Sequence, residues 1–171
     1  PEGITSRLPG RFDRVIKSYF DKFRKNTDLP PLIKGKIEGK LENPFQETYF
    51  YSLNENYGFL GKLDECLIDS DGKYIPVDFK TSSSDPRGKT AFPAYQNQLD
   101  EFSFLLEVNE KKTAGIGHLI YFYPDNSDEL HGGFPMVIHI ETLKTSIEKV
   151  KPRILQAIDV LEEKIPEASQ D

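Results

Sequence analysis

Hydrophobic residues recur along this chain with two different periods, and the changes of period outline its elements. Phe12, Val15, Ile16, Tyr19, Phe20 and Phe23 stand three or four residues apart, which predicts a helix from Arg11 to about Lys25. Pro9-Gly10 precedes that helix and Leu29-Pro-Pro31 ends it. Its stripe reads as core and carries no chemistry. Residues 29–45 hold Lys34, Lys36 and Lys40 with glycines at 35 and 39; they read as a solvated connection, with a phosphate-contacting loop as the alternative. Aliphatic and aromatic runs at about 47–53, 58–68 and 73–80 then predict three consecutive antiparallel strands. Pro76 cannot donate a ladder bond, so it predicts a bulge or an unpaired position.

Helical spacing returns over 92–108, with Tyr95, Leu99, Phe102 and Leu106 as the buried stripe. Residues 114–123 and 134–140 read as two more strands, joined by a polar linker. A last helix is expected to begin near Thr142–Thr145, where Thr145 and Glu148 fit a capping box. Leu143, Ile147, Val150, Ile154, Ile158 and Leu161 form its apolar face, and Pro152 should kink or restart it. The order helix, three strands, helix, two strands, helix predicts an α+β chain with a mixed central sheet flanked by helices.

The second and third strands flank Asp69-Ser-Asp-Gly72, and Asp-Gly between apolar runs is a hairpin signal. If the loop is Ser70-Asp71-Gly72, a type I turn closed by a glycine at positive φ, Asp64 lies opposite Asp78. Lys80 then shares a face with Asp78. Facing carboxylates repel, and a sheet built only for stability avoids them. A divalent cation between them reverses the sign. The alternative is a pair of solvent-facing aspartates with Lys80 as their ion-pair partner. Asp69, Asp71 and Gly72 lack the remaining ligand spacing of a calcium loop.

Charge and composition narrow the choice. A length of 171 residues predicts one domain, 1–171, and 12 Phe with 8 Tyr supply a large core. A chain that begins at Pro1 reads as a fragment or processed product of a longer one. A net charge of −6 argues against a broad basic face for nucleic acid, though not against a local groove. The single cysteine, Cys66, excludes an internal disulfide and reads as a small core residue; with no membrane-spanning run, a cytoplasmic protein with no membrane partner is expected. His118 and His139 lie in apolar strands as core or edge residues, and His131 lies in the linker, with no metal-ligand spacing among the three. Gln98 is one helical turn from both Tyr95 and Phe102, and is either a satisfied edge residue or a group reaching into a site.

Gly61-x-x-Asp64, then Pro76-Val-Asp78-Phe-Lys80-Thr81, then Tyr95-Gln-x-Gln98-Leu, in that order, resemble the motifs of the PD-(D/E)XK nuclease superfamily. Within it, the chain resembles the RecB-like branch, which includes the CRISPR-associated four-cysteine exonucleases. The motif-bearing part runs from Glu47 to about Leu106. The resemblance implies a restriction-endonuclease-like αβββαβ core and Mg²⁺- or Mn²⁺-dependent hydrolysis of DNA. It implies metal binding by Asp64, Asp78 and the Phe79 carbonyl, and Glu47 matches an acidic residue that often opens the strand before the first motif. Lys80 matches the catalytic lysine, Gln98 the helix glutamine that positions lysine and substrate, and Tyr95 the tyrosine often found before it.

Three departures stand beside these matches. Phe102 replaces a tyrosine of the helix motif. The upstream histidine of the RecB-like branch has no counterpart in the first helix. The terminal cysteines of the four-cysteine members are absent, so an iron–sulfur cluster or zinc is expected only if cysteines lie outside this chain. The segment Lys164 to Asp171 resembles the stretch just before such cysteines. The competing expectation is a nuclease-fold DNA-binding or assembly subunit with little or no activity.

Overall fold

The computed structural model describes residues 8–126, 133 and 135–163. The expected linker largely lies outside these residues, as do His131, Phe134 and the segment from Lys164 to Asp171. The elements are α1 (Leu8–Arg24), β1 (Lys40–Leu41), β2 (Thr48–Ser52), β3 (Gly58–Lys62), β4 (Glu65–Ile68), β5 (Tyr74–Thr81), α2 (Pro93–Val108), β6 (Ile116–Pro124), β7 (Met136–Lys144) and α3 (Val150–Glu162). A 3-10 turn, Ile147–Lys149, leads into α3. No helix among the described residues is long and apolar enough to cross a membrane.

A five-stranded mixed sheet runs in the order β1-β4-β5-β6-β7, and β2 and β3 form a separate ribbon. Only the β5–β6 pair is parallel, and α2 supplies the crossover between those strands. Helix α1 covers one face: Ile16 and Phe20 are buried, and Phe20 packs its ring 4.7 Å from that of Phe79. Helix α2 covers the other face, where Leu99 meets Leu119, Tyr121 and Tyr123. The ribbon closes over α2 through Tyr49, Leu63, Phe102, Leu105 and Leu106. The result is an α+β fold with a mixed sheet between helices.

The hairpin stands in the expected register. Glu65 faces Val77 and Ile68 faces Tyr74, while Gly72 has φ +78°. Backbone bonds Asp69 N–H to Lys73 O (2.9 Å) and Gly72 N–H to Asp69 O (3.1 Å) close the turn.

The expected strand over 58–68 is two strands. β3 pairs with β2, β4 pairs with β5, and the chain changes sheets at Leu63 and Asp64. The burial pattern changes at the same place. Along β3 exposed and half-buried residues alternate, whereas Glu65, Cys66 and Leu67 are buried in succession. A strand covered on one side has become one covered on both. Just before it, Gly61 lets the ribbon lie close on α2, because a Cβ there would be 2.3 Å from Leu105 Cδ1.

Several other expectations need correction. Pro76 forms no bulge, and only the other half of its expectation holds, that of an unpaired position: it stands in register opposite Cys66, but pairing of β5 with β6 begins only at Val77, so no ladder bond is lost on that side. Pro9 lies inside the first turn of α1, where a missing N–H costs nothing. Residues 29–45 are not merely a solvated connection. Ile33 and Leu41 are fully buried and Lys40–Leu41 joins the sheet, while the lysines remain exposed.

β7 continues to Lys144 because it pairs along the whole of β6. The last helix therefore starts later than expected, and the capping box does not form. Thr145 Oγ1 is buried without a partner, and the N–H of Ser146 donates instead to Asp100 Oδ1 (2.9 Å). Pro152 sits in the first turn of α3, after the 3-10 turn, and restarts the helix rather than kinking it. Cys66 is fully buried, as expected of a core thiol, and burial raises its pKa.

The tight crossing at Gly61 yields a test of the packing. Gly61→Ala should destabilise the protein by about 1–3 kcal/mol, the usual cost of overpacking. Urea unfolding would measure it, and an unchanged midpoint would mean that the ribbon shifts away from Leu105 without cost.

Candidate active site

Asp64 occupies the corner where the chain leaves the ribbon for the main sheet. No β4 residue continues the ladder beyond Glu65, so the β5 backbone past Val77 is free on that edge. Asp64 uses the opening: its Oδ2 accepts a hydrogen bond from the N–H of Phe79 (3.0 Å). On a strand, the N–H and C=O of one residue point to the same side. The N–H of Ser82, three residues on, points the other way and donates to Phe122 O of β6 (2.9 Å). The Phe79 carbonyl therefore faces the Asp64 edge, where β4 supplies no partner.

Asp78 is buried to 2% exposure, so it is not a solvent-facing aspartate. Lys80 Nζ lies 2.5 Å from its Oδ2, a close ion pair. The same ammonium donates to Gln98 Oε1 (2.8 Å) and lies 4.5 Å from the centre of the Tyr95 ring. Gln98 is thus a group reaching into the site. Burial pushes the Asp78 carboxyl up to about 6. Lys80 opposes that rise, whereas Asp64 adds to it, by repulsion and by the hydrogen bond it offers the protonated acid.

The structure brings Asp64, Phe79, Asp78, Lys80, Gln98 and Tyr95 together. Glu47 stands outside this set. It pairs with Lys62 (3.1 Å) and approaches Lys17 (4.0 Å), and it is 39% exposed. Among the described residues, no three His, Cys, Asp or Glu side chains converge as a ligand cluster. The oxygens that do lie near one another are hard donors: two carboxylates, one of them buried, and a carbonyl on a free strand edge. That set fits Mg²⁺ or Mn²⁺, which keep several waters and need few protein ligands.

Sequence reasoning missed Lys17. It lies on α1, which was read as core alone, yet its Nζ is 2.8 Å from Asp64 Oδ1. The available signal was its place between the buried Ile16 and Phe20, one turn before the residue that docks on Phe79. Two grooves flank the centre. One of about 390 Å³ runs between β3 and α2 past Lys62 and Gln98. The other, of about 280 Å³, passes Tyr95 toward Ser82, Lys89 and Phe92. His118 is a core histidine: its Nδ1 is 2.9 Å from Thr142 Oγ1, and burial lowers its pKa to about 4. His139 stacks on Tyr121 with ring centres 6.3 Å apart.

No family model and no curated protein matches this sequence. Among solved structures, the chain is similar to the crystal structure of SSO0001, with 18% identity and a TM-score of 0.53. The match covers 92% of this chain and 61% of that one, so this chain spans about three-fifths of its neighbour's length. At that identity the likeness is one of fold.

The buried acid gives a pH test. Between its ordinary pKa of 3.8 and the folded value of about 6, the native state binds more protons at Asp78 than the unfolded chain does. Stability therefore falls as pH rises through that window. Urea unfolding in chelator from about pH 4 to pH 7 should show the parent losing about 1–3 kcal/mol relative to Asp78→Asn, which lacks this titration. Parallel pH profiles for the two proteins would mean that ionised Asp78 costs nothing.

Proposed function

We propose that this chain is a metal-dependent nuclease domain of the PD-(D/E)XK type that hydrolyses DNA phosphodiester bonds. The observation that carries the reading is the meeting of Asp64 and Asp78 at an open strand edge, with Lys80 held between Asp78 and Gln98. Phosphodiester hydrolysis needs an activated water, an in-line approach and compensation of charge on the phosphate. Bound Mg²⁺ or Mn²⁺ would supply Lewis acidity and lower the pKa of a coordinated water.

Asp64, Asp78 and the Phe79 carbonyl are the groups that would hold the ion. Asp64 is oriented for this by two anchors, the Phe79 N–H and the Lys17 ammonium. Lys80 is a compact cation suited to a water and a non-bridging phosphate oxygen. Gln98 and the Tyr95 ring limit where that cation can go. The flanking grooves give a strand a route on either side of Gln98 and Tyr95. A second reading, a nuclease-fold DNA-binding or assembly subunit, is favoured by one observation: each acid already has an ammonium partner.

Cleavage of DNA with defined ends, with Mg²⁺ or Mn²⁺ and with chelator, separates the two readings; a folded protein that leaves DNA intact with either metal overturns the nuclease. Lys80→Met should lower turnover by about 10²-fold or more, the scale of losing one electrostatic stabiliser. It should leave Mn²⁺ binding in place. Because Lys80 compensates a buried acid, the same variant should also melt lower without metal. Asp64→Asn and Asp78→Asn should instead lose Mn²⁺ affinity first, with activity partly restored at higher Mn²⁺. Lys80→Met cleaving as fast as the parent would reduce Lys80 to an ion-pair partner.

A further inference from the structure

The acids on the outer side of Asp64 surround a cation that belongs to the chain. Lys17 Nζ lies 2.8 Å from Asp64 Oδ1, 3.4 Å from Asp13 Oδ1 and 4.0 Å from Glu47 Oε1. Its helix is pinned: Ile16 is 6% exposed, Phe20 is fully buried, and Phe20 packs on Phe79, the residue between the candidate ligand Asp78 and Lys80. A second divalent ion beside the first would need the outer oxygen of Asp64 and a further acid. Asp13 and Glu47 are the acids on that side; Asp13 is paired with Lys17, and Glu47 already serves two lysines, Lys17 and Lys62.

We propose that Lys17 stands where a second cation would otherwise bind, so the site takes one divalent ion per chain and Glu47 is a lysine partner rather than a ligand. This rests on the metal-dependent reading above. An ammonium and a divalent ion repel, and they cannot share the oxygens of Asp64 and Glu47. Among the described residues Lys17 pairs with Asp64, Asp13 and Glu47 and with neither Asp78 nor Lys80, so it is a positioning residue that acts through Asp64.

The test is calorimetric titration of the purified chain with Mn²⁺, whose readout is stoichiometry rather than activity. The parent should bind one ion. Glu47→Gln should also bind one, with affinity changed by less than about fivefold, the scale of one exposed ion pair. Lys17→Met should bind two, and Lys17→Met with both Asp13→Asn and Glu47→Gln should return to one. The proposal fails if the parent binds two ions, if Glu47→Gln loses about tenfold or more in affinity, or if folded Lys17→Met still binds one. If Lys17→Met does not fold, the parent stoichiometry and Glu47→Gln decide. A parent that binds no ion overturns this proposal and the metal-dependent reading together, whereas two ions overturn this one alone.

Discussion

The constraint around which this structure is arranged is a pair of like charges: the buried Asp78, and Asp64, one residue before the β4–β5 ladder begins. Like charges held close together in a partly buried setting repel by on the order of a few kcal/mol. Three groups from different parts of the fold relieve the strain. The Phe79 N–H bonds Asp64 because β4 has ended and left that edge of β5 open. Lys17 meets Asp64 because α1 is clamped onto Phe79 through Phe20. Lys80 meets Asp78 from the same face of the same strand, and α2 holds its far side through Gln98 and Tyr95. The docking of both helices and the sheet switch at Asp64 thus bear on one pair of carboxylates.

Much of this was legible in the chain because it depended on local rules. The nearness of Asp64 and Asp78 followed from one turn, and Gly72 at positive φ supports that turn. Lys80 and Gln98 followed from strand and helix periodicity. Tertiary demands hid the rest. The break at Leu63 was masked because both halves of 58–68 are apolar, and only the change from alternating to continuous burial gives it away. The capping box at Thr145 and Glu148 lost to Asp100, which reaches Ser146 from another helix. Lys17 looked like an ordinary polar position on an amphipathic helix, since its carboxylate partners Asp64 and Glu47 are remote in sequence. Strand β1 has two residues and carries no periodicity to read.

Two buried acids on the same hairpin show what distinguishes a structural carboxylate from one set up for chemistry. Glu65 is 1% exposed and Asp78 is 2% exposed. Arg24 takes both oxygens of Glu65, at 3.0 and 2.7 Å, and the N–H of Cys66 adds a third bond. Burial still pushes its pKa up, but every oxygen is satisfied, and the fork geometry of Arg24 ties α1 to the sheet. Asp78 has a single ammonium, 2.5 Å from one oxygen, and a second carboxylate beside it. A fold under pressure for stability alone could replace such an acid with an apolar residue of similar volume at little cost or some gain. Glu42 sharpens the comparison. It has a buried oxygen without a donor, yet Lys111, itself bonded to Tyr49 and set against the rings of Tyr49 and Tyr74, closes its pocket. Burial and an unpaired oxygen are therefore not enough to mark a site. At Asp78 burial coincides with a second acid and an open backbone edge, and this combination supports the cation site proposed above.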